Sequence, residues 1–217
     1  TLSAYLIITN YILSNKIPFD DRLPTFFNKT KDLLSVTTIE DVHQFYPIYG
    51  SLQTFLYRTD DISKQYNSDV LKQLISFSLN QSIPDEIRKR FHGLFLRYAQ
   101  THKNLLSKIS EHIESLLQTG SSELASVVSL IVGSNLPAQR INYSNQCIGY
   151  LTTLCSTDVN FEKIKFTLSF FERYACPENE EVQGKVVEIL TQLAPIAITN
   201  DELCGLLFSA VAGLGSV

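Results

Sequence analysis

Apolar residues recur at intervals of three and four along most of the chain, and strand-like alternation is nearly absent, so the pattern predicts amphipathic helices throughout. The expected helices run about 2–15, 22–36, 38–58, 68–80, 83–101, 104–118, 121–133, 138–155, 160–174, 179–193 and 199–214. The punctuation between them agrees. Thr38 followed by Asp41, and Ser121 with Glu123 in the next turn, put oxygen acceptors and negative charge where orphan N–H groups sit. Pro24, Pro84 and Pro137 fall at or near helix starts, where a missing N–H costs nothing. Gly120 and Gly133 stand where helices should stop. Pro47, inside 38–58, predicts a kink or a split near Tyr46, and Gly50 weakens that helix further.

Paired into hairpins, the helices start near Thr38, Ser82, Ser121 and Asp158, a unit of about 37 to 44 residues that matches the period of HEAT-type repeats. One hairpin cannot bury both of its apolar faces, so successive hairpins must stack. The expected fold is therefore all-α: a right-handed α-solenoid of HEAT/ARM-like hairpins, about 10 to 11 helices forming a single segment over residues 1–217. A closed helical bundle is the rival, and it would not need elbows at a regular interval. The apolar end segments 2–15 and 199–214 lack polar outer faces, and no initiating Met is present. Both features lead us to expect a fragment of a longer array.

Composition narrows the functional classes. With 18 basic against 22 acidic residues and a formal charge of −4, the chain offers no general attraction for nucleic acid, whose binding needs clustered Lys and Arg. The opening run Leu2 to Ile8 has no basic residue before it, so it does not read as a signal peptide. No apolar stretch approaches the roughly 20 residues of a membrane helix. The four cysteines, Cys147, Cys155, Cys176 and Cys204, lack paired metal-site or staple spacing and read as reduced core thiols of a cytoplasmic protein.

A search for chemistry returns little. None of the nine glycines stands in a phosphate loop. Gly133-Ser134 and Gly215-Ser216 lack the second glycine of a nucleophile elbow. His92, His102 and His112 are ten residues apart, which turns successive rings away from a common metal ion. The acidic pairs Asp20-Asp21, Glu40-Asp41, Asp60-Asp61 and Glu180-Glu181 lie at presumed helix starts or loops, where they favour the positive end of a helix dipole. No catalytic residue, metal ligand, cofactor or small-molecule substrate is expected. The aromatic runs Phe91, Phe95, Tyr98 and Phe166, Phe170, Tyr174 follow helical spacing and predict core ridges.

Two stretches remain as candidate partner surfaces. Arg88-Lys89-Arg90 is the only dense basic run and makes 82–118 net positive by two, against a net of −5 over 158–217; such asymmetry can steer a partner, although it more often marks solvated faces. In 119–157 only Glu123 and Arg140 are charged. There Ser122, Ser126, Ser129, Asn142 and Asn145 would form a neutral outer stripe that is cheap to desolvate against a partner helix. The alternative is that these helices are flanked on both sides and expose little.

Several segments carry a family resemblance. They are Ile83-Pro84-Asp85-Glu86-Ile87-Arg88-Lys89-Arg90 opening a helix, Ile109 to Leu117 with the elbow Thr119-Gly120-Ser121-Ser122-Glu123-Leu124, and Val127 to Val132 with Ser134-Asn135. Leu151-Thr152-Thr153-Leu154-Cys155, Asp158-Val159 and Cys176-Pro177 follow them. In order and elbow placement, about 84–215 resembles the N-terminal HEAT region of the tuberin family. The resemblance implies a non-catalytic part of a cytosolic GTPase-activating protein that acts on the Ras-like GTPase Rheb and restrains growth signalling with hamartin, a coiled-coil partner. It carries over no site residue, because that family's catalytic asparagine helix lies in a different domain. The competing expectation is a karyopherin-like carrier or vesicle-coat adaptor solenoid, against which the lack of Trp speaks. A stacked array predicts a radius of gyration clearly above the roughly 17 Å of a 217-residue globule. Small-angle scattering checks this, and the compact value would refute the stacking.

Overall fold

The computed structural model describes residues 42–57, 64–156, 159–174 and 179–214. Every secondary-structure element among them is helical, and the protein is all-α. The elements are α1 (Val42–Tyr57), α2 (Asn67–Leu79), α3 (Asp85–Thr101), a 3-10 segment (Lys103–His112), α4 (Ile113–Gln118), α5 (Ser122–Gly133), α6 (Pro137–Ser156), α7 (Phe161–Phe171), α8 (Glu180–Ala197) and α9 (Asp201–Leu214). The expected helices 2–15 and 22–36, the Pro24 start, the Thr38 and Asp41 cap, the pairs Asp20-Asp21, Glu40-Asp41 and Asp60-Asp61, and Cys176 lie outside the described residues.

Three elements depart from the sequence pattern. α1 runs continuously from Val42 to Tyr57, so of the kink or split expected near Tyr46 the split does not occur. The single helix expected over 104–118 is instead a ten-residue 3-10 segment followed by the short α4, with non-helical dihedrals at Ile109. α8 continues past 193 and through Pro195, to Ala197. A proline in the last turn costs only one hydrogen bond, and the fit of Leu193 and Ala197 into the core offsets it.

The chain divides into two compact units, 1–98 and 99–217, with the boundary inside α3. In the first, an aromatic cluster joins its three described helices. Phe77 of α2 stacks on Phe91 of α3 at 4.7 Å between ring centroids, and Phe45 of α1 meets Phe91 edge-on at 5.5 Å. Burial of the Tyr98 ring pushes its hydroxyl well above the usual phenol pKa. That hydroxyl donates to the carbonyl of Asn67 at 2.8 Å. Phe91, Phe95 and Tyr98 are all buried, the core ridge their spacing predicts.

The second unit is layered. α7 packs on α5 and on α9, forming one row, while α6 and α8 pack on each other in another. The hairpin pairs α4–α5, α6–α7 and α8–α9 tie the rows together. α7 is buried without interruption from Phe166 to Phe171, as expected for a helix with neighbours on all sides.

Local signals set the helix ends. Gly120 adopts φ 70° after α4, the left-handed conformation that glycine tolerates best. Pro137 is the first residue of α6. The last three helices share one start, Asn-x-Glu, at Asn160, Asn179 and Asn200. Each Asn side chain accepts from backbone N–H groups of the first turn: Lys163 at 3.0 Å, Val182 at 2.9 Å, and both Glu202 at 3.0 Å and Leu203 at 3.2 Å. Ser121 holds the cap position of α5, but its hydroxyl donates to the Glu123 carboxylate at 2.8 Å rather than capping the backbone.

Two substitutions test this architecture by denaturant unfolding. Phe170→Ala should cost about 3–5 kcal/mol by opening a cavity among α5, α7 and α9. Gly120→Ala should cost about 1–2 kcal/mol, because a Cβ is strained at positive φ although space around it is open.

Candidate protein-interaction site

The basic run at the start of α3 is not a bare positive patch. Asp85 pairs with Arg88 at 2.7 Å and with Lys89 at 3.0 Å, and Glu86 with Arg90 at 3.7 Å. The Lys89 ammonium, then the Arg88 guanidinium, hold the Asp85 carboxyl below the usual carboxylate range. Arg90 also lies over the Phe45 ring at 5.9 Å. Three cations beside two acids one turn away leave a surface with little net field. This lowers Arg88, Lys89 and Arg90 as an electrostatic docking site.

The neutral stripe divides between two helices. On α5, Ser126 and Ser129 are 3% and 1% exposed, so they form no outer surface. Their small side chains face the closely packed interior, and the Ser126 hydroxyl donates to the carbonyl of Ser169 on α7 at 2.8 Å. The Ser129 hydroxyl is buried with no hydrogen-bond partner. Ser122, in the first turn, is half-buried beside Glu123. Flanking on both sides is therefore correct for α5. On α6 the expectation of exposure holds, since Asn142 and Asn145 are both exposed.

The remaining candidates take structural places. Glu180 and Glu181 sit in the first turn of α8, as expected from the helix dipole. His92 is buried with Nε2 at 3.2 Å from the Ser78 carbonyl. Among the described residues no group of three His, Cys, Asp or Glu is placed to hold a metal ion. Cys147, Cys155 and Cys204 are free thiols, and Cys155 Sγ lies 3.5 Å from the Thr167 hydroxyl. Cys147 is fully buried, and burial pushes its thiol up to about 12.

Where α6 and α8 lie side by side, a groove of about 470 Å³ opens between them. α6 contributes Asn145, Ile148, Gly149 and Thr152; α8 contributes Lys185, Glu188, Ile189 and Gln192. On each helix these positions fall about one turn apart, so they share a face. Ile148 and Ile189 are buried and form an apolar floor, while the polar groups stand on the rims. Lys185 bridges to Glu181 at 2.8 Å and donates to the Asn145 side-chain oxygen at 3.4 Å. The hydrogen bond from Lys185, and after it the Lys185 charge, lowers the pKa of Glu181. Of the groove residues, the sequence pattern had singled out Asn145 as part of the neutral outer stripe; the α8 half went unseen because Lys185 and Glu188 look like any solvated helix face.

No protein-family model matches this chain, and no characterised protein or solved structure matches it. No helix among the described residues is long and apolar enough to cross a membrane.

The division of the stripe is testable by thermal and denaturant melts. Ser126→Glu should destabilise by about 3 kcal/mol or more, because it buries an unpaired charge, whereas Asn142→Lys should stay within about 0.5 kcal/mol. A second check uses pH. The Cys147 thiol should resist alkylation at pH 8 in the folded chain, read by mass spectrometry of the labelled cysteines. Its raised folded pKa favours the fold below about 9, where the unfolded thiol is also neutral; between about 9 and 12 the unfolded state ionises first, and stability should fall by about 1.4 kcal/mol per pH unit from this group.

Proposed function

We propose that this chain is a non-catalytic scaffold of stacked HEAT-type hairpins that binds another protein, and that it works in the cytoplasm. One observation carries the reading. In the unit 99–217, alternate helices pack into two rows, α5–α7–α9 and α6–α8, with hairpins joining them. That is the way hairpins stack when each buries its apolar face against its neighbour. Such rows present long helical faces to solvent and concentrate function in surface contacts. The exposed amides of α6 and the groove beside them supply a surface whose groups can exchange water for partner hydrogen bonds at modest cost.

The partner implied by the tuberin-family resemblance is a hamartin-like coiled coil, in an assembly that restrains growth signalling through a separate GTPase-activating domain. Support for this narrower reading is the order of segments and elbows over about 84–215. The test is direct binding by calorimetry of the 217-residue chain to a purified hamartin coiled coil, with hydrogen exchange to locate the contact. Protection centred on α6 and α8 is the expected result; no binding removes hamartin, and protection confined to other helices removes this surface. Thermal melts with ATP, GTP or zinc should stay unshifted, because a ligand at 100 times its Kd would add about 2.7 kcal/mol to the fold.

A further inference from the structure

We infer that the groove between α6 and α8 receives an extended segment of a partner protein bearing an Arg or Lys next to an aliphatic residue. The inference rests on the scaffold reading and names the partner chemistry of one site within it.

Length comes first. The α6 lining runs from Asn145 to Thr152 and the α8 lining from Lys185 to Gln192, eight residues or seven helical steps in each case. At 1.5 Å per residue each rim is about 10 Å long. An extended chain advances about 3.3 Å per residue, so the groove accommodates roughly three residues lying along it. A helix about 10 Å across is too wide to reach the floor between two packed helices whose axes lie about 8–10 Å apart, and would ride on the rims.

The lining chemistry selects the same occupant. Gln192 at one end makes no hydrogen bond among the described residues, so its amide can donate and accept. Asn145 at the other end gives its oxygen to Lys185 and keeps its NH2 as a donor. Side-chain amides at the two ends suit the alternating N–H and C=O groups that an extended backbone presents. Between them, Gly149 leaves space: a Cβ built on it meets nothing within 4 Å. With Ile148 and Ile189 on the groove floor, the open space beside Gly149 leaves room for an aliphatic side chain to reach that floor.

Charge decides the third feature. Lys185 is occupied by Glu181 at 2.8 Å, whereas Glu188, one turn further along α8, has no ion-pair partner among the described residues. Together Glu181, Lys185 and Glu188 carry a net of −1, on the half of the chain that is acidic overall. The unpaired carboxylate at mid-groove therefore favours a cationic side chain and disfavours an acidic one.

The test uses the whole 217-residue chain and three fluorescein-labelled probes: a flexible heptapeptide with the core Leu-Arg-Leu, the same peptide with Glu in place of Arg, and an alanine-rich helical peptide carrying the Leu-Arg-Leu core. Fluorescence polarisation should show the Arg peptide binding about fivefold or more tighter than the Glu peptide, the scale of one exposed ion pair gained and one repulsion avoided. In Glu188→Gln that preference should collapse towards one. Gly149→Leu should abolish binding of both while leaving the melting temperature unchanged or higher, since leucine is the better helix former. Equal binding of the Arg and Glu peptides, retention of binding in Gly149→Leu, or tighter binding of the helical probe overturns the proposal. Should Gly149→Leu fail to fold, Glu188→Gln decides alone, because that side chain is exposed. A chain that binds a coiled-coil partner but neither peptide loses this groove and keeps the scaffold reading; one that binds the Arg peptide but no coiled coil keeps the groove and loses that partner.

Discussion

The second unit depends on the burial of the C-terminal half of one short helix. α7 brings Phe166, Leu168, Phe170 and Phe171 into contact with neighbours on every side, and each such side chain contributes roughly 1.5–3 kcal/mol when removed from water. A stretch buried without interruption from Phe166 to Phe171 requires a helix on each flank, and α5 and α9 take those places. α6 and α8 are then left to form the second row, and the groove between them follows. The inner stripe of α5 adapts to the same demand: serines there keep the interface thin, and the Ser126 hydroxyl meets a backbone carbonyl of α7.

Helix order was legible in the sequence because a 3.6-residue period with glycine and proline punctuation leaves few alternatives. The aromatic ridges were equally plain, since Phe91, Phe95 and Tyr98, or Phe166, Phe170 and Tyr174, have no cheaper location than a core. What the pattern missed were features fixed by tertiary fit. Periodicity counts residues, and a 3-10 turn differs from an α turn by only a fraction of a residue, so 103–112 looked like the start of one long helix. Pro47 was weighted by its effect on an isolated helix, yet α1 passes through it.

Serine was the hardest residue to place. Ser126 and Ser129 carry hydroxyls, which suggested an outward face, but their run Leu124 to Val132 contains no charge at all. A helix with a solvated face usually spends some of its outer positions on Lys, Glu or Gln; here every position except Leu130 is buried. On α6 the amides Asn142, Asn145 and Gln146 are exposed, and so are the hydroxyl residues Thr152 and Thr153. The repeated Asn-x-Glu start of the last three helices was also present in the sequence, spaced at 19 and 21 residues, and marks single helices rather than hairpins.

The 3-10 segment Lys103–His112 sets how the second unit breathes. Its i to i+3 hydrogen bonds are less well aligned than those of an α-helix, and Leu106, Ile109 and Ser110 are its only buried residues. Ten residues with three buried anchors, tied to α5 through the Ser110 hydroxyl and the Asn135 amide, should open at lower cost than the fully packed middle of α5. Cleavage by a protease within this stretch should therefore precede the cooperative loss of the α5 core.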